Sequence, residues 1–402
     1  MLPHEACCGF AIKLEINHNH ANPKRHCLTL HAGFCWLRRL NRPSKLSMAE
    51  EIGFNISVYA KSDVGSVRPG NEDNFLVLNL STADTWKPGP GEAKAPENLT
   101  RFNQSHYGSL VAVTDGMGGA LAGEVASRLA VECVRDRMLE LQASPAYSRF
   151  PFHERLRLSI ELANLYIYQM SLKRAEYSGM GATFTALGLS GASAFFGQVG
   201  DSRAYMIRGD AIELITRDQS LVGQLVEAGH ITAEEAERHS YRNVILQALG
   251  ASPNINVVID RLTLCDNDTV VLCSDGLSNK VRADEIKTVL SEADSFENAC
   301  DGLIRMANER GGEDNITVMI ARVSGGRLGQ KEHAPDQRTT LPLADESSQE
   351  RFGAETIERD PELPFHVDHN LVDDEETTIP PEETTISPED TTLPPTDKPD
   401  EH

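Results

Sequence analysis

The chain has 402 residues, more than one hydrophobic core usually holds, so one large domain with extra segments is expected, and 40% hydrophobic residues can supply its core. A net charge of −22 argues against binding nucleic acid through the phosphate backbone, which needs clustered Lys and Arg; much of the acidity lies from Ser324 onward, where 21 Asp and Glu face six Lys and Arg. No window approaches about eighteen uninterrupted apolar residues, which excludes a membrane span by this test, and Glu5, Lys13 and Glu15 break the first apolar run, so a cytoplasmic protein is expected rather than a secreted one.

Residues 1–47 carry Cys7, Cys8, Cys27 and Cys35, five histidines, and seven basic against two acidic residues. The Cys and His spacings fit no zinc finger. This stretch reads as a disordered basic extension, or as sequence upstream of a true start at Met48. Strands are predicted at 54–60 (FNISVYA) and 75–80 (FLVLNL), the second directly after the acidic stretch RPGNED at 68–73. Residues 81–107, rich in Pro, Gly, Thr and Asn, read as a long surface loop. Residues 111–119 (VAVTDGMGG) then give a buried strand that stops on Asp115 and turns on glycines.

Helical spacing follows. Ala126, Ala130, Cys133, Val134, Met138 and Leu141 mark one amphipathic helix, and Leu156, Ile160, Ala163, Ile167 and Met170 a second, both suited to cover a sheet face. ATFTALGL, SAFFGQVGD, SRAYMIRGD and AIELITR, between 182 and 217, are short strands on tight glycine-containing turns, which implies antiparallel pairing. Residues 218–247 are polar and helical, with a helix start at Thr232 and Glu235 three residues later. VVIDRLTL and DTVVLCSDG return to strand, 283–309 is helical, and ITVMIARV closes the sheet. Cys133, Cys265, Cys273 and Cys300 read as buried reduced thiols.

After Val323 the chain turns to Pro, Thr, Glu and Asp, a composition that cannot bury enough apolar surface to offset chain entropy, so 324–402 is expected to be a disordered acidic tail. ETTIPP, ETTISP and DTTLPP recur from Glu376, Glu383 and Asp390, with RTTLP at 338–342 as an outlying copy. They read either as a solvated tether or as phospho-acceptor sites that dock a phosphothreonine-reading domain.

A strand ending on Asp and then Gly is common as an ordinary turn. Here the arrangement recurs at VVLCSDG (270–276) and FGQVGDSR (196–203), with further acidic clusters at RPGNED and GGEDN (311–315). Carboxylates massed at five strand tips repel one another unless a cation lies between them, which suggests one convergent oxygen-ligand site. With oxygen ligands only, the cation is expected to be hard, Mn²⁺ or Mg²⁺ rather than Zn²⁺.

RPGNED, VAVTDGMGG, GMGATFT, GDSRAY, SDG and GGEDNIT occur in the order and approximate spacing of the metal-dependent Ser/Thr protein phosphatases of the 2C type (PPM family), and the chain resembles the bacterial form of that family over about residues 55–323. The resemblance implies an α+β fold, a four-layer α-β-β-α sandwich of two antiparallel sheets. It places the phosphatase domain at 48–323, with 218–247 as a flap beside the cleft; that segment is either a specificity element or a simple packed helical pair.

The resemblance also implies a division of roles. Asp115 would bridge two metals, with the Gly116 carbonyl on one; Asp275 and Asp314 would complete the other shell. Glu72 and Asp73 would ligate metals or hold their waters, and Asp201 would hold a third, weaker ion. Arg68 would grip the substrate phosphate with its planar fork. Met117 stands where many eukaryotic members have a His proposed as general acid, and a thioether donates no proton. The implied reaction is hydrolysis of phosphoserine and phosphothreonine by a metal-bridging hydroxide, with no covalent phosphoenzyme, opposing Ser/Thr kinases. The partners implied are phosphorylated proteins, kinases or phosphothreonine-binding domains through the tail, and the chain is expected to be a monomer. A catalytically silent scaffold is the alternative, and the intact carboxylate set argues against it.

Overall fold

The computed structural model describes residues 53–88, 95–118, 122–326, 328–329 and 338–342. The Cys- and His-bearing extension 1–47, Gly119 of the glycine turn and the repeats from Glu376 lie outside these described residues. The chain opens with β1 (Asn55–Asp63), β2 (Asn74–Asn79) and β3 (Asp84–Trp86), then a single turn α1 (Glu97–Thr100), β4 (Arg101–Asn103), β5 (Ser109–Thr114) and β6 (Gly116–Met117). Two long helices follow, α2 (Ala122–Ala143) and α3 (Phe152–Lys173), and then β7 (Gly181–Ala182), β8 (Phe184–Ser190), β9 (Ser193–Val199), β10 (Arg203–Arg208) and β11 (Ala211–Leu214). The remainder is α4 (Leu221–Glu227), α5 (Ala233–Glu237), β12 (Val258–Thr263), β13 (Thr269–Cys273), α6 (Asp275–Ser278), α7 (Ala283–Glu292), α8 (Phe296–Glu309), β14 (Ile316–Ser324) and β15 (Thr339–Thr340).

These strands make two main antiparallel sheets, ordered β11-β10-β13-β14-β1-β4 and β15-β12-β9-β8-β5-β2-β3, with β6 and β7 paired separately. The burial along β5 explains the stacking. All six of its residues are buried, because one face meets the other sheet and the opposite face meets helices. Val77, Val111, Val113 and Phe196 pack across the sheet interface on Ile56, Val58, Leu272 and Met319. Leu129, Val134, Met138, Leu156, Ile160 and Ile167 of α2 and α3 cover the outer face of one sheet. Ile286, Cys300, Leu303 and Ile304 of α7 and α8 cover the other. The four-layer α-β-β-α sandwich is therefore observed.

Leu156 is fully buried between α3 and its sheet, whereas Leu172 on the same helix is 69% exposed. Leu156→Ala is expected to lower unfolding free energy by about 2–5 kcal/mol through cavity formation. Leu172→Ala should stay within about 0.5 kcal/mol in the same urea titration.

Four local expectations need correcting. Residues 81–107 are no simple surface loop: the described part contains β3, α1 and β4 and buries Trp86 and Leu99, and Trp86 meets Phe75 edge-on at 5.1 Å. The strand at 316–324 does not close its sheet but lies inside it, between β13 and β1. The helical stretch 283–309 is two helices, interrupted before the cap Ser295, whose hydroxyl accepts from the Asn298 N–H at 3.1 Å. Residues 338–342, expected in the disordered tail, instead pair with β12.

In the segment 218–247, Thr232 and Glu235 form the expected capping box. Its base is closed by Leu221 N–H to Val244 O at 2.8 Å and Leu246 N–H to Gln219 O at 2.9 Å, while Tyr241, Val244 and Leu246 stay exposed. Cys133, Cys265, Cys273 and Cys300 are buried and none forms a disulfide. No described helix is long and apolar enough to cross a membrane.

Candidate metal centre

Each acidic cluster is held by a distant polar side chain. Asp115 follows β5, and its N–H donates to Thr183 Oγ1 at 2.9 Å while its carbonyl accepts from the Thr183 N–H at 2.8 Å. Thr183 Oγ1 is itself 2.8 Å from Ser202 Oγ, so the two turns that end on Asp115 and Asp201 are joined. Gly200 permits this: at φ +100° its added Cβ would come within 2.7 Å of Thr183. The chain crosses from one sheet to the other here, and Asp201 stands at the crossing.

Ser274 precedes the single turn of α6 that begins with Asp275, yet its hydroxyl does not cap that turn. It donates to Asp73 Oδ2 at 2.7 Å and accepts from the Thr317 N–H at 2.9 Å. Asn315 ties the first motif to the last: its Oδ1 accepts from the Glu72 N–H at 2.8 Å, and its Nδ2 donates to Val64 O and Gly70 O at 2.9 and 3.0 Å. Arg68 Nη2 meets Asp314 Oδ2 at 2.9 Å on the exposed rim. The Gly116 N–H donates to Glu72 O at 3.2 Å, and Gly123 keeps α2 close: an added Cβ would sit 2.7 Å from the Glu72 carboxyl carbon and 2.9 Å from the Gly116 carbonyl oxygen.

The electrostatics follow from this convergence. Burial pushes the Asp115 carboxyl well above its ordinary range, and Asp73, Asp275, Asp201 and Asp314 all add repulsion. Asp73 is raised to about 7 by burial, against the pull of hydrogen bonds from Ser274 and Thr317 and with the push of Asp275 and Asp314. Asp201 is raised to about 7 by burial and then by Asp275 and Asp218. Burial and the Asp314 charge raise Asp275, which is in hydrogen-bonding contact with Asp115. Burial raises Glu72, opposed by Arg68. Burial alone would lower Arg68, but Asp314 foremost, then Glu72 and Asp115, hold its guanidinium above the ordinary value.

Asp73 and Asp201 are buried, whereas Asp115 and Asp275 are part-exposed, so the cluster reaches solvent on one side. The five aspartates Asp73, Asp115, Asp201, Asp275 and Asp314 meet here, with Arg68, Glu72 and Gly116 beside them. Among the described residues, no group of three or more His, Cys, Asp or Glu side chains is placed so that it could hold a metal ion as the chain stands. Asp73 Oδ1, Asp201 Oδ1 and Asp275 Oδ1 are nevertheless buried acceptors without any donor. The orphaned oxygens decide the fit, because buried acceptors in a repelling group cost free energy until a cation or donor satisfies them. The donor set is oxygen only, which suits Mn²⁺ or Mg²⁺.

Thr183, Ser274 and Asn315 were assigned no role from the sequence, although each lies within a recognised stretch. For Ser274 and Asn315 a side-chain hydroxyl or amide next to a ligand-type Asp is the available signal; Thr183 has no such neighbour.

The sequence model of the protein phosphatase 2C family matches residues 99–320. The chain is 36% identical over 260 residues to the serine/threonine phosphatase stp of Listeria welshimeri, covering 65% of this chain and 93% of that protein. It is similar to the crystal structure of the serine/threonine phosphatase Stp1 from Staphylococcus aureus, with TM-score 0.58 and 31% identity over 70% of this chain and all of that one. The catalytic domain of PstP, solved in complex with two manganese ions, superposes with TM-score 0.52 at 29% identity, covering 68% of this chain and all of that one.

Proposed function

Because the chain belongs to the protein phosphatase 2C family, and is with it a metal-dependent protein-serine/threonine phosphatase, we propose how its own residues divide that work. Asp115, Asp275 and Asp314 hold two divalent cations, with the Gly116 carbonyl, Asp73 and Glu72 completing or orienting the shells. Asp201 holds a third. Mn²⁺ or Mg²⁺ would fill these places; the catalytic domain of the similar protein PstP is solved in complex with two manganese ions. When bound, such cations clamp phosphate oxygens and lower the pKa of water to near neutrality.

The chain's own contribution is placement. Arg68 lies on the exposed rim with a planar fork able to span two phosphate oxygens, and its ion pair with Asp314 keeps it facing the cluster. Ser274, Thr183 and Asn315 hold the carboxylates and their turns in position from behind. Met117, half-buried beside Gly116, supplies no proton, so protonation of the leaving Ser or Thr oxygen falls to water in the cleft. Residues 48–323 make the phosphatase domain, and 218–247, anchored at its base and exposed at its tip, selects among phosphoprotein substrates. Its substrates are phosphorylated proteins made by Ser/Thr kinases.

The observation that carries this reading is the trio of donor-less oxygens on Asp73, Asp201 and Asp275 within one repelling cluster. The full chain should release p-nitrophenol from p-nitrophenyl phosphate with Mn²⁺, lose that activity to a chelator and regain it when metal is restored. Turnover that survives complete chelation would remove the cations from the reading. Ser274→Ala removes the hydroxyl that holds Asp73 Oδ2 and is expected to weaken Mn²⁺ binding by about 10–100-fold in calorimetric titration.

A further inference from the structure

Residues 338–342, Arg-Thr-Thr-Leu-Pro, lie along the edge of β12. Backbone pairing sets Thr340 opposite Asp260 and Thr339 opposite Arg261, and the Leu341 N–H donates to Ile259 O at 2.8 Å. Asp260, only 3% exposed, organises the contact. Arg338 donates to its Oδ2 from Nε at 3.0 Å and from Nη2 at 2.6 Å, and the Thr340 hydroxyl donates to its Oδ1 at 2.5 Å. Beyond them the buried Arg157 donates from Nη1 to Pro342 O at 2.7 Å, and Leu341 packs on the core between α3 and the sheet.

The same Thr-Thr-apolar pattern occurs three more times, as ETTIP at 376–380, ETTIS at 383–387 and DTTLP at 390–394. The copies differ most at the first residue, Arg in the docked one and Glu or Asp in the others. In the docked register that residue faces the buried Asp260 carboxylate. An acidic side chain there replaces a charge-assisted fork with like-charge repulsion against a buried carboxylate, which solvent screens less than it would an exposed pair.

We infer that the β12 edge is a docking site that reads charge: it holds the Arg338 copy, rejects the three acidic copies, and lets the docked copy go when Thr340 is phosphorylated. In that step a protein kinase transfers the γ-phosphoryl group of a nucleoside triphosphate to Thr340 Oγ1. The new P–O bond forms there, the bond to the nucleoside diphosphate breaks, and the hydroxyl proton leaves. The hydroxyl that donated to Asp260 becomes a phosphate carrying about −1.5 to −2 charges against it. Hydrolysis of the monoester restores the donor and the docked state. Thr340 is exposed enough for such a transfer, and its hydroxyl oxygen also accepts from Arg217 Nη2 at 3.4 Å.

The test is amide hydrogen exchange at Leu341 in the full chain, compared among the unmodified protein, Arg338→Lys, Arg338→Glu and a chain carrying phosphothreonine at 340. The substitutions lie on the docked segment rather than in the sandwich, so the domain itself stays folded. Slow exchange is expected for the first two, and exchange faster by about tenfold or more for the last two, reversed when the phosphate is removed. The proposal is overturned if Arg338→Glu or the phosphorylated chain stays as protected as the unmodified protein. It is equally overturned if Arg338→Lys exchanges as fast as Arg338→Glu, or if Leu341 is unprotected in the unmodified chain.

Discussion

Asp275→Asn lowers Mn²⁺-dependent hydrolysis of a phosphothreonine peptide by about 10³-fold or more, while the metal-free protein melts at a higher temperature. The first effect follows from the ligand role proposed for Asp275 at the start of α6: losing a charged oxygen there costs roughly 4 kcal/mol of transition-state stabilisation at that fold-change. The second follows from the same cluster read without cations. Asp275 is part-exposed as a residue, but its Oδ1 is buried without a donor and Asp314 repels its charge. An Asn there withdraws one negative charge and brings an amide that can donate to its neighbours. A variant that is merely misfolded would lose activity and melting temperature together, so the opposite signs separate a ligand role from a structural one. Activity within tenfold of the unmodified enzyme would end the assignment of Asp275 as a ligand.

The second large effect is on stability as a function of pH. Asp73 and Asp201 both rise from an ordinary 3.8 to about 7, through burial first and neighbouring aspartates next. Between about pH 4 and pH 7 the folded, metal-free chain therefore holds protons on these groups that the unfolded chain has released. Stability from this source is complete at the acid end and is lost as the pH rises through 7. A shift of this size is worth roughly 4 kcal/mol per group, and the two share neighbours, so their sum falls short of double. The melting temperature of the chelated protein is expected to fall by about 10 °C between pH 5 and pH 8. Saturating Mn²⁺, which binds the deprotonated carboxylates, should shrink or reverse the fall, with its stabilising effect growing towards higher pH. A melting temperature of the chelated protein that stays flat or rises over this interval would contradict the buried, mutually repelling cluster.

Much of this was legible before any coordinates. The buried runs at 111–114 and 270–273 and the helical spacing through 126–141 and 156–170 mark strands and helices because their periods are local properties of the chain. The order of acidic clusters marks the family for the same reason, since each cluster sits in a short contiguous stretch. The loop at 81–107 misled because Pro, Gly and Asn dominate its composition while two large residues, Trp86 and Leu99, do the packing.

What only the tertiary structure decided is which distant groups meet. Nothing local to SAFFGQVGDSRAY shows that its two strands enter different sheets, yet that divergence puts Asp201 beside Asp275. Thr183, Ser274 and Asn315 act across 68, 201 and 243 residues of sequence, on Asp115, Asp73 and Glu72 respectively. A hydroxyl carries no local mark of the partner it will find. The segment 338–342 is the sharpest case: its composition is that of a disordered tail, yet it pairs with β12, packs Leu341 on the core and bonds the buried Asp260 carboxylate. Periodicity and composition report what a stretch can form by itself, whereas ligation, orientation and docking depend on pairs of groups that only the closed fold brings within hydrogen-bonding reach.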